Sequence, residues 1–331
     1  MAEALVSVIV PCFNMGSKIF RLFDSLLVQT YKNLHIIVVD DGSTDNSKVV
    51  INNYSTSFKK RGMVLEYVYK ENGGLGSAIN KGLKHVKGDY FCWPDPDDWL
   101  SEDSIEKRVR FLENHKEYAF VRSDAKMYYE GNLEEDAGTF SKKLPNRFKT
   151  TNLFEDYILE RGVIFCPGCH MVRTSSFRNI NPQMEIFEGQ MGQNYQMLLP
   201  LLYHYKFGYI DECLYNYIAY NDSMSHSQEW YDRANHHHEE IILQTLKRID
   251  MSDDERKYYS ELTKQKYIIR RCVSEFRRGN RSLFKEYFKK LNEDYFCCFD
   301  SLIINKIQFI KKISNIPVIF YIANWLSTYK K

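Results

Sequence analysis

The chain has 331 residues, 44% of them hydrophobic and 27% charged, with a formal net charge of +2. That is ordinary globular usage in a length that suits about two domains of roughly 150 residues, so a disordered, collagen-like or low-complexity chain is excluded. The near-neutral balance also lacks the concentrated basic face that a phosphate-tracking groove needs, which argues against a nucleic-acid partner.

The first hundred residues alternate apolar strand-like runs with amphipathic helical ones, the pattern of βα units around a mostly parallel sheet. Val6 to Val10 reads as a strand, and Ile19, Leu22, Phe23, Leu26 and Leu27 then recur at three and four, one face of a helix. Leu34 to Val39 is a second buried strand, after which Ser43 or Thr44 is expected to cap a helix running towards Tyr54. Leu65 to Tyr69 is a third strand, and a helix through Ala78, Ile79, Leu83 and Val86 follows the Gly73-Gly74 break. Tyr90 to Trp93 leads into an acidic run, and Ser101 is expected to cap a helix reaching about His115. Beyond that the regularity loosens into α+β. Strand pieces are expected at Tyr118 to Arg122, Lys126 to Glu130, Cys166 to Arg173 and Cys213 to Tyr220, with a helix at Gln190 to His204. After Ser227 the pattern is helical, and no fixed-period repeat is present.

In parallel α/β sheets, ligands bind beyond the carboxyl ends of the strands, near the point where strand order reverses. Three predicted strand ends carry polar clusters: Pro11-Cys12-Phe13-Asn14, Asp40-Asp41-Gly42-Ser43 and Asp95-Pro96-Asp97. Singly, such residues read as helix caps and turn formers; their repetition along one edge points to a site. Asp95 and Asp97, one residue apart, would project to the same side in extended geometry. Two hard oxygen ligands so placed suit Mg²⁺ or Mn²⁺ bridging a diphosphate. The competing reading is an acidic turn capped into the next helix by Asp98 and Ser101.

These blocks carry a resemblance. Val8 to Asn14, Ile37 to Ser47, Asn72-Gly73-Gly74 to Asn80, and Gly88-Asp89-Tyr90 to Asp98 resemble, in order and spacing, the family 2 glycosyltransferases of bacterial polysaccharide assembly. The resemblance covers about residues 5 to 115. It implies an α/β GT-A fold, Rossmann-like with a mostly parallel sheet and a helical C-terminal region. It further implies a nucleotide-diphospho-sugar donor, UDP-sugar favoured, and Mn²⁺ or Mg²⁺. By the same resemblance Pro11, Phe13 and Asn14 line the nucleotide, Asp41 accepts from the base, Asn72, Gly73 and Gly74 lie over it, Asp95 faces ribose and metal, and Asp97 ligates the metal. One departure is plain: many relatives carry Arg-Asn after the glycines, whereas Ile79 precedes Asn80 here.

The resemblance is weaker in the second half. Relatives place an acidic pair, one of them the catalytic base, at the start of a helix that aligns with Gly192 to Leu199, where this chain has Gln193 and Asn194. An amide cannot act as a base. Glu188, just upstream with Glu185 behind it, is the nearest replacement, and Gln193 and Asn194 read as acceptor-binding groups. Asn221 to His226 resembles the segment that brings a His to metal and diphosphate, which makes His226 the third ligand.

The implied organisation is a nucleotide-sugar half (1–115), an acceptor half (116–226) and a helical C-terminal region (227–331). The implied activity is inverting transfer to a saccharide, lipid-linked by expectation, in capsule, O-antigen or exopolysaccharide synthesis. The alternatives are a catalytically inactive nucleotide-sugar-binding subunit and a same-fold nucleotidyltransferase, for which Met15-Gly16-Ser17-Lys18 is poor evidence. Eight scattered cysteines suit reduced thiols in a cytosolic compartment, and neither an export signal nor a spanning run is expected. Cys166-Pro167-Gly168-Cys169-His170 has haem-attachment and half-zinc spacing, but a tight turn before a strand from His170 to Arg173 is the expectation. His236-His237-His238 reads as a solvated helix face. From Lys264 onward there are 15 Lys plus Arg against 5 Asp plus Glu. The apolar and cationic pattern from Lys306 to Lys331 suits either an anionic membrane surface or packing on protein.

Overall fold

The computed structural model describes residues 3–143, 153–187, 192–220, 228–299 and 305, and the chain divides into two compact units, 1–230 and 231–331. In the first, β1 (Val6–Cys12), α1 (Phe20–Leu27), β2 (Leu34–Asp41), α2 (Ser47–Lys60), β3 (Val64–Lys70), α3 (Leu75–Lys84) and β4 (Tyr90–Cys92) alternate. Every residue of β1, β2 and β4 is buried, which is why these segments read as continuous apolar runs: helices cover both faces of the sheet. Helix α1 buries Leu22, Phe23 and Leu26, and the Phe23 ring meets Tyr54 and Phe58 of α2 edge-on at 5.1 and 5.4 Å.

The chain continues through β5 (Trp99–Leu100), α4 (Ser104–Asn114), β6 (Tyr118–Tyr129), α5 (Phe140–Lys143), α6 (Leu153–Leu159), β7 (His170–Arg173), α7 (Thr174–Ile180), α8 (Gln193–His204) and β8 (Lys206–Ala219). Among the described residues these strands form one sheet in the order β3-β2-β1-β4-β7-β6-β8-β5. Pairing is parallel from β3 to β4, antiparallel around β7, parallel between β6 and β8, and antiparallel at β5.

Several boundaries differ from the sequence reading. The two expected strand pieces at 118–122 and 126–130 are one strand, β6, with register shifts at Ser123, Asp124 and Ala125. Buried Arg122, Ser123 and Asp124 interrupt its apolar pattern, and the Asp124 carboxylate accepts from the main-chain nitrogens of Ala125 and Ser141 at 2.8 and 3.2 Å. Neither Ser43 nor Thr44 caps α2, which begins at Ser47. Ser101 does not cap α4 either: its hydroxyl donates to the Cys213 carbonyl of β8 at 3.0 Å. Helices α6 and α7 were not expected.

After residue 227 the described chain is helical: α9 (Gln228–Arg248), α10 (Asp253–Arg277) and α11 (Arg281–Lys289). A capping box of Ser252 and Glu255 starts α10. Cys272 of α10 and Phe284 of α11 centre a small core with Phe276 and Phe288. Among the described residues no helix is long and apolar enough to cross a membrane.

Glu66 of β3 gathers His35, His85 and Lys87 at 2.7, 2.6 and 3.1 Å. Burial would raise its carboxyl, but hydrogen bonds from His85, His35 and Lys87 outweigh that and hold it at about 2. A carboxyl depressed in the folded state contributes stability above its unfolded value of 4.5, lost as pH falls towards 2. Denaturant unfolding of Glu66→Gln is therefore expected to show a deficit on the order of 1–2 kcal/mol at pH 6 that shrinks towards pH 3. A deficit independent of pH would contradict this.

Candidate active site

The sheet order reverses between β1 and β4: β2 and β3 lie on one side of β1, and α3 returns the chain to place β4 on the other. Their carboxyl ends define a crevice, and the residues expected there assemble at it. Pro11 is buried within β1, Phe13 and Asn14 follow it, Asp41 ends β2, Asn72 to Gly74 follow β3, and Asp95 and Asp97 follow β4.

The first two loops are stapled together. Asn14 adopts φ 54°, a left-handed conformation that Asn tolerates better than most residues. Its side-chain oxygen accepts from the main-chain nitrogen of Thr44 at 2.8 Å, and its own main-chain nitrogen donates to Ser43 Oγ at 2.9 Å. The Asp45 carboxylate accepts from the nitrogens of Gly16 and Ser47 at 3.0 and 2.9 Å, so it satisfies the start of α2 in place of the expected Ser or Thr.

Asp41, 3% exposed, fixes the third loop. Its carboxylate accepts from Lys70 Nζ at 2.6 Å and from the main-chain nitrogens of Gly73 and Gly74 at 3.0 and 2.8 Å. The Asn72 side-chain amide donates to the Asp41 carbonyl at 3.0 Å. Gly42 has φ +79°, and a Cβ there would lie 2.8 Å from the Asn72 nitrogen, so the approach of these loops requires glycine on conformation and on space.

Asp95 to Asp98 form a turn, with the Asp98 nitrogen donating to the Asp95 carbonyl at 3.4 Å. This corrects the expectation of an extended strand exit, since β4 ends at Cys92. Nor is Asp98 a helix cap. It is buried, and its carboxylate accepts from the Tyr215 hydroxyl at 2.9 Å and the Ile218 nitrogen at 2.8 Å. The Tyr215 hydroxyl also accepts from the Asp95 nitrogen at 3.1 Å.

Burial, then the neighbouring Asp97, pushes the Asp95 carboxyl up to about 7. Burial also raises Asp97, with its own main-chain nitrogen and then Lys18 and Arg21 pulling the other way. Among the described residues no side chain donates a hydrogen bond to Asp95 or Asp97. Two crowded carboxylates without a side-chain donor fit a hard divalent cation, which would remove their repulsion. Among the described residues no three potential ligands converge. His226, the expected third ligand, and Glu188, the expected base, lie outside the described residues.

At the start of α8, Asn194 accepts from Trp93 Nε1 at 3.0 Å and donates to the Phe165 carbonyl at 2.6 Å. Its amide thus joins the end of β4 to the start of α8. Gln193 is half-buried beside it. Glu185 pairs with Lys84 at 2.5 Å. The Cys166-to-His170 motif is a core turn: Pro167–Cys169 form a 3-10 turn leading into β7. Gly168 sits against Tyr215, whose ring a Cβ would meet at 2.0 Å. His170 is buried, bonds the Tyr157 hydroxyl and the Cys166 carbonyl at 3.1 Å each, and stacks on Trp93. Burial drives its pKa down to about 3.

Tyr215, Lys70, Lys18, Arg21 and Tyr220 escaped the sequence reading. Only Lys70, at a strand end beside the glycines, carried a local signal.

The chain belongs to glycosyl transferase family 2, whose model matches residues 7–180, more than half of its length. The uncharacterized glycosyltransferase RT0329 of Rickettsia typhi is 44% identical over 108 residues, 33% of this chain and 32% of that protein. The minor teichoic acid biosynthesis protein GgaB of Bacillus subtilis is 27% identical over 225 residues, 67% of this chain and 24% of that protein. The matched stretches thus span about a third or less of those two relatives. S. aureus TarS 1-349, crystallised with UDP, has a TM-score of 0.63 at 15% identity and covers 99% of this chain and 92% of its own. A mannosyltransferase of Pyrobaculum calidifontis in complex with GDP-Man and Mn²⁺ reaches 0.51 at 13% identity, covering 100% and 89%. The shared fold is GT-A.

Replacing Asp41 by Asn keeps its shape but turns one acceptor oxygen into a donor facing Lys70 or the loop amides. A loss of about 1–3 kcal/mol is expected in denaturant unfolding, with faster amide hydrogen exchange at Gly73 and Gly74. Unchanged exchange at both glycines would show that the carboxylate does not hold the loop.

Proposed function

We propose that this chain is a metal-dependent glycosyltransferase that moves one sugar from a nucleotide-diphospho-sugar, a UDP-sugar first among candidates, to a lipid-linked saccharide. The product would enter a capsule, O-antigen or exopolysaccharide. The observation that carries this reading is the pair of half-buried carboxylates, Asp95 and Asp97, facing the crevice where three ordered loops meet. The UDP-bound TarS and the Mn²⁺-bound mannosyltransferase support the donor and metal, and the name of GgaB supports a cell-surface polymer.

In this reading Pro11, Phe13 and Asn14 line the nucleotide, and Asn72 to Gly74 cover it. A carboxylate offers about four acceptor sites, so Asp41, which holds three donors, keeps one for the base. Asp95 faces the ribose and, with Asp97 and His226, holds Mn²⁺ or Mg²⁺, which supplies positive charge where the leaving diphosphate gains negative charge. Glu188 takes the acceptor hydroxyl proton as the acceptor oxygen bonds to the anomeric carbon from the face opposite the breaking bond, inverting it. Gln193, and the unused hydrogen of the Asn194 amide, meet the acceptor. Asn194 also favours the second reading, an inactive nucleotide-sugar-binding subunit, because it fills an acidic slot with a structural amide.

Release of nucleoside diphosphate from a panel of nucleotide sugars, with and without acceptor, separates the two. Asp97→Ala is expected to abolish transfer with little change in melting temperature, and Glu188→Gln to lower it by roughly 10²- to 10⁴-fold while donor affinity is kept. Donor binding without transfer by the wild type favours the inactive subunit. Full activity of Asp97→Ala, or in excess chelator, would sink the metal assignment.

The proposed location is the cytoplasm, at the inner membrane face. The cationic, apolar segment from Lys306 to Lys331, outside the described residues, supports the membrane contact. Truncation after Asp300 is expected to abolish salt-sensitive co-sedimentation with anionic vesicles; equal sedimentation by the truncated chain would refute that contact.

A further inference from the structure

Lys18 and Arg21, which follow β1, converge on Tyr220, directly after β8. The Lys18 ammonium lies 3.6 Å from the centre of the Tyr220 ring, and an Arg21 guanidinium nitrogen donates to the Tyr220 hydroxyl at 3.4 Å. That hydroxyl donates to the main-chain carbonyl of Asp97 at 3.5 Å. Both cations are half-buried. Among the described residues neither has a carboxylate within ion-pair distance. They therefore stand at the Asp97 side of the crevice, held by an aromatic ring rather than neutralised by an acid.

A charge count says what such a pair is for. A nucleotide-sugar diphosphate brings about two negative charges, Asp95 and Asp97 bring two more, and a divalent cation offsets about two of these four. The remaining two match Lys18 and Arg21. The glycine loop offers nothing equivalent: residues 72–80 contain no Lys or Arg, and Lys70 is committed to Asp41.

We infer that Lys18 and Arg21 form the cationic wall of the donor site, gripping the diphosphate and the charge that builds on it during transfer. This rests on the donor reading above. As the bond from the anomeric carbon to the diphosphate oxygen breaks, its electron pair leaves with the nucleoside diphosphate, which gains one negative charge. The acceptor oxygen bonds to the same carbon and its proton goes to the base. Cations already in place at that oxygen favour the departing charge over the intact donor. Tyr220 is a positioning residue: its ring supports Lys18 and its hydroxyl orients Arg21.

The test is calorimetric binding to the full chain, with Mn²⁺, of UDP, GDP, CDP, dTDP and ADP, the best of which is then compared with its nucleoside by competition. Lys18→Gln and Arg21→Gln are each expected to weaken diphosphate binding about tenfold, and the double variant about a hundredfold. Nucleoside affinity and melting temperature are expected to stay unchanged, and Lys18→Arg, which keeps a cation over the Tyr220 ring, to remain within about threefold of wild type. Wild-type diphosphate affinity in the Gln variants, or an equal loss for nucleoside and diphosphate, overturns the inference while leaving the donor reading intact. If the wild type binds none of the five diphosphates, the donor reading itself falls and takes this one with it.

Discussion

The hydroxyl of Tyr215 is the interaction on which the rest of the crevice depends. It donates to the buried Asp98 carboxylate and accepts from the Asp95 nitrogen, so one group on β8 fixes both ends of a turn that no strand ladder supports. Without it, Asp98 would be a buried carboxylate left with the Ile218 nitrogen as its hydrogen-bond donor, a costly state. The ring reaches this position because Gly168 leaves room beside it. The Pro167–Cys169 turn is thus shaped around the tyrosine that orders the acidic turn after β4.

The same arrangement explains why three carboxylates can stand within four residues. Asp98 is buried and satisfied by hydrogen bonds, whereas no side chain among the described residues donates to Asp95 or Asp97. Burial and mutual repulsion then push Asp95 up to about 7, and folding bears an electrostatic cost concentrated at one edge of the sheet. Locally unfavourable choices of this kind mark sites whose payoff comes on ligand binding.

What was legible in the sequence follows from range. β1 to β4 and their helices are local patterns, and the polar residues at their ends sit where parallel-sheet topology sends them, so Asn14, Asp41, Asp95 and Asp97 stood out at strand ends, whereas Asn72 to Gly74 were reached through the family resemblance. The role of Asp98, for which a helix cap was the competing reading, stayed hidden because its partner Tyr215 lies 117 residues away in sequence. Strand β6 was split in two because its buried Arg122, Ser123 and Asp124 look like a loop until their partners are in view. Tyr220 and the cations beside it were invisible for the same reason: Arg21 and Tyr220 are separated by 199 residues.

Range also settles how to regard the amide in the slot where the family's acid is expected. Asn194 must accept from the Trp93 indole and donate to the Phe165 carbonyl at once. An amide does both, whereas an ionised carboxylate accepts from the first and repels the second. An acid at 194 would therefore cost the bond that ties α8 to the segment before the Pro167–Cys169 turn, and with it the seat of Trp93, whose ring stacks on His170. The amide is what this geometry requires of the residue. The start of α8 thus serves as a tie between the segment after β4 and the segment before the Pro167–Cys169 turn.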